Sequence, residues 1–194
     1  MLCNIYPGIS ILLLNFSAYL SQVWPGFSFV KYINQNFIFQ YRKKNIFKLS
    51  QGEYIAPEKI ENAYAKCKFV AQCFVYGDSL NSSLVAVVSV DHDVLKAWAA
   101  SEGIMYNDLA QLCNDPKAKA AVLADMDACG REVELRGFEF VKVVTLVLEP
   151  FTMENGLLTP TFKIKRPQAK EYFAKAISDM YNELSKSGHS QKTF

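Results

Sequence analysis

From residue 47 onward, apolar and polar positions fall into short segments of readable period. Phe47 to Ile55 alternates around Ser50-Gln51-Gly52, which predicts a strand, a turn and a second strand. Pro57 suits the first position of a helix, where its missing N–H costs nothing, and Ile60, Tyr64 and Cys67 follow along one face. Phe69–Tyr76 and Ser83–Val90 are apolar runs joined by the turn-forming residues 77–82, a second hairpin. The run LVAVVSV is almost continuously apolar, so it predicts a strand covered on both faces.

Asp91 and Asp93 are candidate caps for a helix that carries Val94, Leu95 and Trp98 and stops at Gly103. A brief helical turn is expected around Asp108–Leu112. Asp115-Pro116 opens a longer helix with Ala118, Val122, Met126, Cys129 and Val133 on one face, which Gly137 is expected to end. Phe138–Leu148, rich in Val and Phe, reads as a third core strand. After a loop over Pro150–Phe162, Pro167 starts a last amphipathic helix that runs past Leu184. This order predicts a small α+β domain: a hairpin, then a central three-stranded sheet with helices packed on it.

The first forty residues break the pattern. They carry a single charged side chain, Lys31. Their longest apolar stretch, Ile9–Leu20, is interrupted by Ser10, Asn15 and Ser17, and Gln22 and Pro25 end it short of the about 20 residues that span a bilayer. A signal peptide would want a positive n-region and a small-residue cleavage site, and neither is clear. The readings are a membrane-associated segment, a buried extension, or translated AT-rich non-coding sequence. The expected division is therefore residues 1–40 as an atypical segment, 41–186 as the domain and 187–194 as a polar tail.

Composition narrows the chemistry. In 194 residues the formal net charge is +2, so nothing calls for nucleic acid. Five cysteines form an odd set without a CxxC pair, which argues against a disulfide framework or a zinc site. His92 lies between two capping acids with no second histidine near it, and it reads as part of a helix start; no metal site is expected. His189 lies in the tail without an orienting partner, so no nucleophile–base arrangement is argued.

Two basic stretches remain. RKKNIFKLSQGEYIAPEKIE, from Arg42 to Glu61, sets Arg42, Lys43, Lys44 and Lys48 ahead of Gly52. Lysine and arginine neutralise anionic oxygens, and glycine lets a phosphate-bearing ligand approach backbone closely. NGLLTPTFKIKRP, from Asn155 to Pro167, places Lys163, Lys165 and Arg166 behind a Thr-rich loop that could deliver a lysine to an anionic reacting centre.

Together these stretches resemble the adenylate-forming enzymes, specifically the long-chain acyl-CoA synthetases (long-chain fatty acid–CoA ligases) of the eukaryotic type, plant peroxisomal members included. The resemblance covers about Arg42 to Leu184 and implies the C-terminal lid domain of that fold. It implies that Lys163 anchors the carboxylate and the AMP phosphate oxygens during adenylation, and that Arg42 approaches the nucleotide phosphates. It also implies that Lys48 and Gly52 lie in the hairpin swung in for thioester formation, Gly52 passing the pantetheine arm. The substrates implied are a fatty acid, ATP and CoA, with Mg2+. The family carries an aspartate where Tyr41 stands, and its N-terminal ATP- and acyl-binding domain does not precede Arg42. The chain alone is therefore expected to be inactive, with that N-terminal domain or a full-length ligase as partner. A non-catalytic short isoform, membrane-associated or not, is the alternative. By family the compartment is the peroxisome or the endoplasmic reticulum membrane, although Lys-Thr-Phe at the end is not an SKL-type address.

Overall fold

The computed structural model describes residues 45–186. The readings of residues 1–40, of the tail and of Arg42 lie outside them. The compact unit begins at Phe47.

Strands β1 (Phe47–Lys48) and β2 (Tyr54–Ile55) form the expected antiparallel hairpin. Helix α1 (Pro57–Tyr64) follows with proline in its first turn, and Cys67 falls beyond its end. Strands β3 (Val70–Tyr76) and β4 (Leu84–Val90) pair antiparallel. Then come α2 (His92–Ser101), α3 (Leu109–Asn114), α4 (Pro116–Glu132), a 3₁₀ turn at Gly137–Glu139 and β5 (Val141–Val147). Strand β5 returns parallel to β4, so the sheet order is β3-β4-β5.

All seven residues of β4 are buried, as its apolar run predicts. Leu84, Ala86, Val88 and Val90 face one core with Ile60 and Tyr64 of α1 and Val122 and Met126 of α4. Val85 and Val87 face a second core with Phe74, Phe173, Ile177 and Met180. The sheet is thus the middle layer of three, with β4 feeding both sides.

Three boundaries differ from expectation, each for a local reason. Helix α4 ends before Gly137. The left-handed residue is Glu134 (φ 55°), and the N–H groups of Glu134 and Leu135 reach back to the Arg131 and Gly130 carbonyls, a Schellman-type closure. Residues 137–139 are a 3₁₀ turn, so the third strand starts at Val141. The last helix is two helices, α5 (Arg166–Tyr172) and α6 (Ala174–Lys186), broken at Phe173, whose backbone leaves the helical region (φ −97°, ψ 16°). The caps follow prediction more closely. Asp91 accepts from the N–H groups of Asp93 and Val94, Asp108 from Ala110, and Asp115 from Lys117. Gly103 (φ 65°) closes α2.

Candidate functional site

Within the described residues, the two basic stretches contain two hydrogen-bonded turns on different layers. In the first, the Gly52 N–H donates to the Leu49 carbonyl and the Leu49 N–H to the Glu53 carbonyl, both at 2.9 Å. Gly52 has φ 95°, a backbone that side-chain-bearing residues rarely adopt. Lys48 points outward with its ammonium 5.7 Å from the centre of the Tyr54 ring. The inward face is anchored: Leu49 and Ile55 are buried, and Phe47 packs with them. Phe47, Leu49 and Leu84 close on Gly77 so tightly that a Cβ there would lie 2.7 Å from both Phe47 and Leu84. The Ser50 N–H to the Asn81 carbonyl (3.1 Å) and the Gln51 amide to the Ser82 carbonyl (3.1 Å) fasten the hairpin to the β3–β4 turn.

The second stretch, expected as a loop, is closed by a turn. Thr159-Pro160-Thr161-Phe162 is a β-turn with proline at its second position and a 2.9 Å bond from the Phe162 N–H to the Thr159 carbonyl. The Lys163 N–H donates to the Thr159 hydroxyl at 3.0 Å, and the Thr159 N–H returns to the Lys163 carbonyl at 2.8 Å. A bridge between Leu158 and Ile164 and a 2.8 Å bond from the Lys165 N–H to the Leu157 carbonyl close its base. Lys163 is exposed, and its ammonium makes no hydrogen bond or ion pair among the described residues. Beside it Phe162 stands 75% exposed on left-handed backbone (φ 56°). A bulky residue in that conformation costs about 1–2 kcal/mol.

Sequence reasoning missed what joins these turns. Glu61 lies beside the buried stripe of α1, next to Ile60. One of its oxygens accepts the Val75 N–H at 2.9 Å, and the other meets Arg166 of α5 at 2.5 Å. Arg166 also donates to the Val75 carbonyl at 3.1 Å and lies over the Phe74 ring. Burial outweighs the opposing pull of the Arg166 guanidinium and the Val75 N–H, leaving the Glu61 carboxyl raised to about 7. The available signal was a glutamate flanking an apolar face. Gln72 makes a similar undetected link, exchanging two bonds with the backbone of Phe151.

The remaining candidates stay structural. Cys67, Cys73 and Cys113 are buried, and burial holds their thiols above the ordinary range. His92 sits in the first turn of α2, with Nε2 3.0 Å from the Leu148 carbonyl. Among the described residues no group of three or more histidine, cysteine and carboxylate side chains is arranged to hold a metal ion.

The domain is thus a three-stranded mixed sheet between two helical layers, with a hairpin ahead of it and an exposed lysine on a late turn. Residues 59–135 match the family described as the AMP-binding enzyme C-terminal domain. The curated relatives the chain resembles are named as long-chain acyl-CoA synthetases and long-chain-fatty-acid–CoA ligases. Over 146 residues, 75% of its length, it is 80% identical to the peroxisomal long chain acyl-CoA synthetase 6 of Arabidopsis thaliana. It is 49% identical over 141 residues, 73% of its length, to long-chain-fatty-acid–CoA ligase 6 of the rat. It covers 21% and 20% of these proteins, and the region matched is their C-terminal part. The chain thus spans about a fifth of the length of the curated relatives it matches. Among solved structures, the A-PCP didomain of the carboxylic acid reductase of Segniliparus rugosus, in complex with AMP, superposes with a TM-score of 0.66 at 30% identity, covering 84% of this chain and 21% of that one. The adenylation domain of the Mycobacterium chelonae carboxylate reductase gives 0.62 at 32% identity, covering 73% and 20%.

Proposed function

We propose that this domain is the lid of a long-chain fatty acid–CoA ligase, which converts a fatty acid, ATP and CoA to acyl-CoA, AMP and diphosphate. The observation that carries this reading is Lys163, whose ammonium is uncommitted just after a β-turn to which its own backbone is hydrogen-bonded. In the first step a fatty acid carboxylate attacks the α-phosphorus of ATP and diphosphate leaves. Negative charge gathers on the phosphoryl oxygens in that transition state, and Lys163 is the group to meet it. In the second step the CoA thiolate attacks the acyl carbonyl and AMP leaves. The hairpin serves that step, Lys48 offering a cation to the phosphates of CoA and Gly52 a backbone without a side chain beside the pantetheine arm. Arg42, outside the described residues, would approach the nucleotide. Magnesium would enter bound to the phosphates of ATP. The peroxisome is the favoured compartment, because two Arabidopsis relatives named as peroxisomal are 80% and 74% identical to the chain. Among the described residues no helix is long and apolar enough to cross a bilayer.

The test joins residues 42–194 to the N-terminal portion of the Arabidopsis synthetase 6 and measures fatty-acid-dependent ATP–diphosphate exchange. Lys163→Ala should lower the rate by about 100-fold or more, the typical cost of removing one oriented donor from a developing charge. Exchange within a few-fold of the parent would refute the role. The 194-residue chain alone should make no acyl-CoA.

A further inference from the structure

The Glu61–Arg166 pair is withdrawn from solvent on both sides, its side chains 12% and 16% exposed. Desolvating two charges is expensive, and a well-packed apolar pair often serves a fold as well. Stability alone is thus a poor account of it. Its placement says more. Strand β3 is an edge of the sheet, and Glu61 and Arg166 take up the N–H and carbonyl of the same edge residue, Val75. Glu61 belongs to α1, directly behind the hairpin, and Arg166 opens α5, three residues beyond Lys163. The pair therefore passes around the sheet edge and ties the layer carrying the hairpin to the layer carrying the lysine turn.

We propose that Arg166 is a positioning residue for Lys163: through Glu61 and Val75 it fixes the base of the lysine turn to α1, so that the hairpin and the lysine move as one body. Only its catalytic consequence rests on the reading of Lys163 given above. Because the Leu158–Ile164 bridge and the Lys165–Leu157 bond close the turn, holding Arg166 holds the lysine backbone as well. The groups facing the pair are Glu58 on the same helix, Cys73 and Val75 on β3, and Phe74 beneath the guanidinium.

Amide hydrogen exchange on the full 194-residue chain tests the clamp directly. In Arg166→Gln the amides of Thr159, Phe162, Lys163 and Lys165 should exchange about tenfold faster relative to Val85–Val88 of β4, the scale of losing one charge-assisted contact. Arg166→Lys keeps a cation for Glu61 but loses the forked reach to Val75, and should fall between. The double variant Glu61→Leu/Arg166→Met covers the edge with apolar groups; it should keep β4 protected and leave the turn loosened. Unchanged turn exchange in Arg166→Gln would overturn the proposal, as would wild-type protection in the double variant, which would make the pair a cover for the edge. If Arg166→Gln unfolds the chain, Arg166→Lys decides by the same ratio. In the joined ligase, Arg166→Gln should lower kcat for adenylation about tenfold, leave the KM for CoA unchanged and add nothing to Lys163→Ala. If Lys163→Ala itself has no effect, the catalytic reading fails, and the exchange ratio still decides the clamp.

Discussion

Glu61 should give this domain a pH dependence opposite in sign to that of most carboxylates. Its folded-state midpoint is about 7, against 4.5 for an ordinary glutamate, because burial penalises the charged form more than Arg166 and the Val75 N–H repay it. Between those values the folded chain binds the proton more often than the unfolded chain does, so stability falls as pH rises from about 4.5 to 7. Above that range the group is charged in both states, and its contribution is constant. At about 1.4 kcal/mol per pH unit the full change is on the order of 3 kcal/mol. The perturbation is Glu61→Gln, which keeps an acceptor for Val75 and removes the titration. Urea unfolding of both proteins from about pH 4.5 to 8, followed by far-ultraviolet circular dichroism, gives the quantity that matters: the difference between the two stability curves. Other carboxylates cancel in that difference. The wild type should lose about 3 kcal/mol relative to the variant across the range. A flat difference, or one in which the wild type gains with rising pH, would refute the assignment.

Two further outcomes follow from local geometry. Gly77→Ala places a methyl 2.7 Å from Phe47 and Leu84, so it should cost about 1–3 kcal/mol by urea unfolding, and proteolysis within 48–54 should rise as the hairpin lifts. A loss under about 0.5 kcal/mol would mean that those side chains yield freely. Asp115→Ala removes the acceptor for the Lys117 N–H at the start of α4 and should cost about 1 kcal/mol, while Asp115→Asn should cost little. Equal losses from the two would count against capping.

Most elements were legible because their periods are clean. The run from Leu84 to Val90 announced a strand buried on both faces, and Asp-Pro at 115–116 announced a helix start. The misplaced end of α4 and the unforeseen turn before Lys163 share one cause: sequence reasoning looks for glycine where backbone turns left-handed. It therefore passed over Glu134, which ends α4, and Phe162, which ends the β-turn before Lys163. The break at Phe173 was invisible because Ala169, Phe173, Ile177 and Met180 keep helical spacing across it. Of the candidate site, the exposed groups could be picked out by residue type and the buried link could not. Lys48, Gly52 and Lys163 stand in or beside turns, and the chemistry of basic groups beside glycine or a Thr-rich loop pointed to them. The bond between Glu61 and Arg166 was not legible, since the two are 105 positions apart and only the folded sheet edge brings them to Val75.

The uniform burial of β4 also carries a penalty in information. A strand with alternating apolar and polar residues declares its own alignment, because a slip by one position would turn polar groups inward. Strand β4 has no such safeguard: Leu84, Val85, Ala86, Val87, Val88 and Val90 are all apolar, and Ser89 is buried with them. What holds its alignment against β3 must therefore lie outside the strand, in the connection that leads into it. The Asp78 carboxylate gathers the N–H groups of Leu80 and Asn81 and the Asn81 side chain, which fixes the shape of that connection. The same connection receives the hairpin through the Asn81 and Ser82 carbonyls. One aspartate thus bears both on which side of β4 faces which core and on where Lys48 and Gly52 are presented.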